Sequence, residues 1–138
     1  MKEIKFRVWD KGLKQMIYLS EPEVVNDDFS AIVFKLRDYF ASAFSSDRME
    51  DLELMQYTGL KDKNGKEIYE GDIVYVEAVA YGRDMNAMIF WKDGGFWLRW
   101  EDGYESYLQD WVKELAKSAE VIGNIYENPE LIKRVDEE

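Results

Sequence analysis

The chain begins with alternating apolar and polar residues. Ile4, Phe6 and Val8 are separated by charged residues, and this period of two is typical of a half-buried strand. A turn at residues 10–12 and a short return strand at residues 16–19 follow. The N-terminus is therefore predicted to form a β-hairpin.

The next apolar residues are spaced three or four positions apart. They are Phe29, Ile32, Val33, Leu36, Phe40, Ala43 and Phe44. This stripe predicts an amphipathic helix over residues 29–44, and Phe40 and Phe44 are candidate contacts for a partner. A strand through residues 32–34 is the alternative, because the segment is also rich in aromatic and β-branched residues.

Beyond residue 54 the pattern changes to short strands separated by turn signals. Strands are predicted over residues 55–60, 67–69, 73–81, 87–92, 96–101, 104–107 and 120–126. Asn64-Gly65 is the strongest turn signal, since a two-residue hairpin turn needs positive φ at both positions. Strands of this length joined by tight turns are predicted to close into a small barrel.

Two short helical segments complete the prediction. One covers residues 109–117, with Trp111, Leu115 and Val112 on its buried face. The other begins at Asn128-Pro129, where Asn128 would be the N-cap and Pro129 the first helical residue. Fold class is thus mainly β with minor α. Residues 1–53 form an N-terminal hairpin and helix, residues 54–138 form the barrel and a C-terminal helix, and both parts belong to one compact unit.

Composition excludes several chemistries. The 138 residues contain no cysteine and no histidine, so disulfides, thiolate nucleophiles, Ser-His-Asp triads and histidine-ligated zinc are excluded. No apolar segment approaches the roughly 20 residues of a membrane helix, and the N-terminus lacks the apolar segment of a signal peptide. A cytoplasmic protein without membrane contact is expected.

Charge is distributed unevenly along the sequence. Residues 1–20 carry five basic and two acidic side chains, or +3, whereas the whole chain carries 18 basic and 29 acidic side chains, or −11. Such an acidic surface repels phosphate backbones, so nucleic-acid binding is not expected. Solubility explains the excess of acid, and a partner with a basic face is the alternative.

The carboxylates around the Asn64-Gly65 turn invite a metal hypothesis. They belong to Asp62, Glu67, Glu70 and Asp72. A calcium loop requires glycine at its sixth position and glutamate at its twelfth, but Gly65 stands fourth from Asp62. The prediction is a hairpin turn with solvated carboxylates, without metal ligands, cofactor or catalytic residues.

Alternation along residues 96–100 separates two faces. If Phe96, Leu98 and Trp100 face the core, Trp97 and Arg99 point to the opposite side. An outward tryptophan commonly marks an interface, so Trp97 and Arg99 are candidates for an interaction surface. The alternative is that the helix at residues 29–44 covers this face.

Three stretches resemble the YopX family of small phage and prophage proteins. They are residues 6–10 (FRVWD), residues 54–74, which contain YTGLKDKNGKEIYEGDIV, and residues 121–131 (VIGNIYENPEL). The resemblance implies a C-terminal Src-homology-3-like barrel, a smaller N-terminal β-containing part, a phage origin and an intracellular setting. It implies no catalytic residue.

The matched motif residues have structural interpretations. Asn64 and Gly65 form a turn, Gly71 and Asp72 lead the chain into the barrel, and Asn128-Pro129 begins the closing helix.

The leading functional hypothesis is a non-enzymatic binding or assembly module that self-associates into a homo-oligomer. The alternative is an acidic inhibitor or decoy of a host protein that binds nucleic acid. Direct nucleic-acid binding through an aromatic face and a carboxylate enzyme with a divalent cation are less favoured.

Overall fold

The computed structural model describes residues 4–19, 49–77 and 84–132. These residues are mainly β, which confirms the predicted class. The strands are β1 Phe6–Asp10, β2 Gln15–Tyr18, β3 Leu52–Lys61, β4 Glu67–Tyr69, β5 Asp72–Val76, β6 Met85–Lys92, β7 Gly95–Trp100, β8 Glu105–Tyr107 and β9 Ala119–Asn124; α1 is Val112–Ser118. The chain divides into two compact units, residues 1–57 and 58–138, with the boundary inside β3.

The first unit contains the predicted N-terminal hairpin. β1 pairs antiparallel with β2 on one side and with the first half of β3 on the other. The prediction of a half-buried strand is wrong, because both faces of β1 are buried and even Arg7 is only 2% exposed. The Arg7 guanidinium lies 5.9 Å from the centre of the Tyr18 ring and donates a hydrogen bond to its hydroxyl, which accommodates the charge.

The second unit is built on a five-stranded antiparallel sheet. Its strand order is β8-β7-β6-β5-β9. One face of this sheet carries the core, in which Val74, Ala87, Ile89 and Leu98 are completely buried. Complete burial of a Val, Ile or Leu side chain stabilises the folded state by roughly 1.5–3 kcal/mol. The core therefore fixes which face of β6 and β7 is left outside.

The predicted helix at residues 109–117 is present, in two parts. A 3₁₀ helix covers Leu108–Trp111 and continues into α1. Leu115 is fully buried, and the Trp111 ring packs 4.8 Å from the Trp100 ring. Val112 is 39% exposed, so its predicted burial is wrong, because the residues that contact the core are Trp111 and Leu115, which are four positions apart and share one face.

The final helical segment is a single 3₁₀ turn. It covers Pro129–Leu131, with proline at the first position as predicted. Asn128 is the N-cap residue, as predicted, although its side chain makes no capping hydrogen bond. The Leu131 carbonyl accepts a hydrogen bond from Asn86 Nδ2 at 2.9 Å, which ties the turn to β6.

The predicted amphipathic helix at residues 29–44 lies outside the described residues, as do Phe40 and Phe44. Among the residues that are described, no helix combines the length and the apolar character needed to cross a bilayer.

Candidate interaction surface

Trp97 and Arg99 lie on the face of β7 that points away from the core. Their neighbours Leu98 and Trp100 are 0% and 5% exposed. Trp97 stands opposite Phe90 of β6 and Tyr107 of β8 in the strand register. The Trp97 and Tyr107 rings are stacked, with centroids 4.8 Å apart and planes 6° from parallel. The tryptophan thus belongs to an aromatic row that crosses three strands.

Charged side chains border this aromatic row. Glu105 accepts hydrogen bonds from Lys92 Nζ at 3.0 Å and from Arg99 Nη2 at 2.9 Å. The Lys92 ammonium lies 4.9 Å from the Trp97 ring centre, and the Arg99 guanidinium 5.3 Å from the Phe90 ring centre. Both are cation–π distances. We call this set the β6–β8 strip: Phe90, Lys92, Trp97, Arg99, Glu105 and Tyr107.

The electrostatics of the strip centre on one carboxylate. The hydrogen bond from Lys92, followed by that from Arg99, holds the pKa of Glu105 below its ordinary value. The indole of Trp97 is fixed as well, because its Nε1–H donates to the backbone carbonyl of Lys92 at 2.9 Å. The side chains of the strip are therefore paired with one another, and the strip carries both signs of charge.

The strip ends at an open sheet edge. β8 pairs with β7 and is the last strand of the five-stranded sheet. The Trp100 amide donates to the Tyr104 carbonyl, and hydrogen-bonded pairs alternate along an antiparallel ladder. Ser106 is consequently bonded to β7, while the amide and carbonyl of Glu105 and the amide of Tyr107 point outward. The Tyr107 carbonyl accepts the first hydrogen bond of the 3₁₀ helix that follows, because Tyr107 is the N-cap of that helix. Among the described strands, none pairs with β8 on its outer side.

A cavity opens beside the turn between β7 and β8. Its volume is about 380 Å³, and the described residues that line it are Met85, Trp100, Asp102, Tyr104 and Ser106. The indole Nε1–H of Trp100 donates to Ser106 Oγ at 3.0 Å, which fixes that wall. Tyr104 is 76% exposed. The described residues hold no group of three or more acidic side chains placed to bind a metal ion.

The family motif around Asn64-Gly65 is organised by Asp62. The turn at Asn64-Gly65 joins β3 and β4, as predicted. Gly65 has a φ of +80°, but Asn64 does not adopt positive φ, so the predicted two-residue turn geometry is wrong. Asp62 Oδ1 accepts the amides of Asn64 and Lys66, both at 2.9 Å, and Oδ2 accepts the Val121 amide of β9 at 2.9 Å. The Asp62 side chain closes the turn together with two backbone hydrogen bonds, from the Gly65 amide to the Asp62 carbonyl at 3.0 Å and from the Asp62 amide to the Lys66 carbonyl at 2.8 Å.

The prediction of solvated carboxylates in this motif is also wrong. Asp62 is 5% exposed and Asp72 is 2% exposed. Asp72 Oδ2 accepts the Tyr69 amide at 2.7 Å, so each buried carboxylate has amide donors that offset its desolvation. Gly71, with a φ of +89°, turns the chain between β4 and β5. Its amide donates to the Ile89 carbonyl.

The C-terminal motif is a close approach between Gly123 and Asn128. A Cβ at position 123 would lie 2.4 Å from Asn128 Oδ1, so a larger residue there would displace the Asn128 side chain. The same oxygen accepts the Asn124 amide at 3.3 Å, and the Asn128 amide donates to the Asn124 carbonyl at 2.8 Å. The Asn128 side chain therefore holds the end of β9 against the following turn instead of capping the 3₁₀ turn, of which Asn128 is the N-cap residue.

Sequence reasoning found Trp97 and Arg99 but missed the side chains that complete their surface. Lys92, Glu105 and Tyr107 lie on neighbouring strands, and their proximity depends on strand register. The turns at Asp93-Gly94 and Asp102-Gly103 carried that information, because hairpin loops fix register. The signal for Asp62 was an aspartate two residues before an Asn-Gly pair, since Asx side chains bond the backbone two residues ahead.

Fold and surface together define a small, mainly β protein of antiparallel hairpins whose second unit presents an aromatic and charged strip beside an open edge. The YopX protein family model matches residues 5–133. The chain therefore belongs to the YopX protein family, and the resemblance noted in its sequence is confirmed. No curated protein matches the chain.

Two solved structures are similar to this one over nearly the whole chain. Protein EF1440 from Enterococcus faecalis shares 28% sequence identity with a TM-score of 0.60, covering 96% of this chain and 100% of the other. Protein yopX from Bacillus subtilis shares 21% identity with a TM-score of 0.55, covering 92% of this chain and 96% of the other. This second likeness shows the fold.

Proposed function

We propose that this chain is a non-enzymatic assembly module of phage or prophage origin that acts inside the bacterial cell and associates with a second copy of itself through β8. The observation that carries the proposal is the sheet edge at β8, where the amide and carbonyl of Glu105 and the amide of Tyr107 point outward. Unpaired edge strands are templates for pairing with another chain.

Two β8 strands related by a two-fold axis would pair antiparallel about Ser106. Glu105 of one copy then stands opposite Tyr107 of the other, and the Tyr107 amide of each copy can donate to the Glu105 carbonyl of its partner. Like charges do not meet directly, because Glu105 faces a tyrosine and is already paired with Lys92 and Arg99. The pairing also joins the two β6–β8 strips into one continuous surface.

The decisive variant is Tyr107→Pro. Tyr107 has a φ of −69° and a ψ of 128°, which proline adopts without strain, and its amide does not bond to β7. The substitution removes the outward N–H, and with it two intermolecular hydrogen bonds per dimer. Tyr107→Ala is the matched control, because it removes the ring but keeps the N–H.

Sedimentation equilibrium from micromolar to millimolar concentration gives the dimer dissociation constant. We expect Tyr107→Pro to raise it at least about tenfold above that of Tyr107→Ala. A wild-type chain that stays monomeric throughout this range contradicts the proposal. Equal dissociation constants for the two variants would also refute pairing through β8.

We also propose that the second unit has the Src-homology-3-like arrangement. Support comes from the far edge of the sheet, where the β3–β4 turn meets β9. The Lys63 amide donates to the Ala119 carbonyl at 3.0 Å, and Asp62 accepts the Val121 amide. These bonds cover the β9 edge and leave β8 as the edge available to a partner. Backbone amide exchange tests this arrangement, because the Lys63 and Val121 amides should exchange slowly and that of Tyr107 quickly.

A second candidate function is inhibition of a basic host protein, favoured by the net charge of −11. Affinity capture from a host lysate at low and high salt tests it. A nucleic-acid-binding protein that is retained at low salt and released at high salt supports the candidate, and retention of no basic protein rejects it.

A further inference from the structure

The cavity beside the β7–β8 turn has the chemistry of a cation-binding site. Ligand pockets commonly enclose roughly 300–1,000 Å³, and this one, at about 380 Å³, is large enough for one side chain. The aromatic residues Trp100 and Tyr104 form two of its walls, and Asp102 is the acidic residue among the described residues that line it. Aromatic faces with a carboxylate at their border attract guanidinium and ammonium groups.

Asp102 has capacity for a further partner. Its Oδ1 accepts the Tyr104 amide at 3.0 Å, and Oδ2 has no bonding partner among the described residues. Arg99 and Lys92 are the nearest strip cations in sequence and topology, but both are paired with Glu105. A positive group entering the cavity would therefore meet a carboxylate oxygen that the described part of the fold does not neutralise.

We propose that this cavity binds an arginine side chain of a partner protein. The planar guanidinium can lie along the aromatic walls while donating to the Asp102 carboxylate. The Ser106 hydroxyl, which accepts from Trp100, keeps its own hydrogen and can orient a backbone carbonyl of the incoming segment. The net charge of −11 raises the local concentration of cationic partners. This binding does not require pairing through β8.

Two small probes of similar shape, one charged and one neutral, test whether binding depends on the guanidinium charge. N-acetylarginine amide carries the guanidinium, and N-acetylcitrulline amide is its neutral near-isostere. Titrations of the full chain are followed by tryptophan fluorescence and by the indole N–H resonance of Trp100. We expect saturable binding of the arginine probe in the millimolar range and much weaker binding of the citrulline probe. Equal binding of the two probes, or no binding of the arginine probe, overturns the proposal.

A pair of isosteric variants locates the site. Asp102→Asn removes the charge but keeps the oxygen that accepts the Tyr104 amide. Asp93→Asn is the matched control, since it makes the same change in the β6–β7 turn, where a φ of +51° suits asparagine. We expect Asp102→Asn to weaken the arginine probe about threefold to fivefold, with Asp93→Asn close to wild type. Equal weakening by both variants would show diffuse charge attraction and would reject this site.

Discussion

At the scale of single residues, two side chains of the family motif reinforce its backbone turns. Asp62 accepts hydrogen bonds from three backbone amides in two separate segments. The Asn128 side chain accepts a hydrogen bond from the Asn124 amide and occupies the space where a Cβ at position 123 would lie. A buried polar atom with several donors is costly to lose, because each freed amide stays desolvated. These positions should therefore dominate the stability of the second unit.

Asp62→Ala is expected to lower the free energy of unfolding by about 2–4 kcal/mol, since it leaves the amides of Asn64, Lys66 and Val121 without their acceptor. Urea denaturation followed by tryptophan fluorescence measures the loss. Asp110→Ala, at an exposed aspartate, is the control and should change stability by less than about 0.5 kcal/mol. Similar losses for the two variants would show that Asp62 does not organise the turn.

A double-mutant cycle tests the contact between Gly123 and Asn128. Gly123→Ala alone should destabilise by about 1–3 kcal/mol, because the new methyl group overlaps Asn128 Oδ1. Asn128→Ala alone should cost about 1 kcal/mol through its lost hydrogen bond. The double variant should be more stable than the sum of the two losses predicts. Strict additivity would place the cost of Gly123→Ala elsewhere.

At the scale of elements, the β6–β8 strip is held together by pairs that cross the sheet. Trp97 stacks on Tyr107, and Glu105 joins Lys92 and Arg99. Each exposed pair contributes modestly, since solvent screens the ion pairs and cross-strand contacts add a few tenths of a kcal/mol to about 1 kcal/mol. Their joint effect is to hold the short strand β8 in register against β7.

The pH dependence of stability reports on the Glu105 cluster. The pKa of Glu105 is below its ordinary 4.5 in the folded chain, so its stabilisation is present above that value and is lost as the pH falls through the folded pKa. We expect Glu105→Gln to lower stability by roughly 0.5–1 kcal/mol at neutral pH, and the difference from wild type to vanish in acid.

Denaturation curves across acid and neutral pH make this measurement. Glu114→Gln, at an exposed position on α1, removes a carboxylate that no described cation contacts, and its small effect should not follow the same pH profile. A Glu105→Gln deficit that persists undiminished in acid would show that the charge is not the cause.

The sequence predicts elements better than it predicts contacts between them. The strand at residues 67–69 and the faces of β7 follow from alternation and turn residues, which are local properties. Burial of Asp62 could not be derived, because its third donor, Val121, is 59 residues away. The partnership of Trp97 with Tyr107 depends on register, and the open edge at β8 on strand order, which periodicity does not specify.

At the scale of the whole molecule, the net charge has opposite effects on the two proposed binding events. A chain with a net charge of −11 repels its own copies and attracts cationic partners. In self-association through β8, backbone hydrogen bonds hold two acidic chains together. In arginine binding, the attraction between the guanidinium and the Asp102 carboxylate supplies the affinity. Ionic strength therefore separates the two events.

Raising the salt concentration should strengthen self-association and weaken binding of the arginine probe. Screening removes the long-range repulsion between two acidic copies, and the Debye length shortens from about 30 Å at 0.01 M to about 8 Å at 0.15 M. The same screening reduces the attraction between Asp102 and a guanidinium. Sedimentation equilibrium and probe titration in the same salt series measure both dissociation constants. Self-association that weakens with salt would mean that ion pairs between copies hold the dimer, in place of the uncharged backbone pairing along β8.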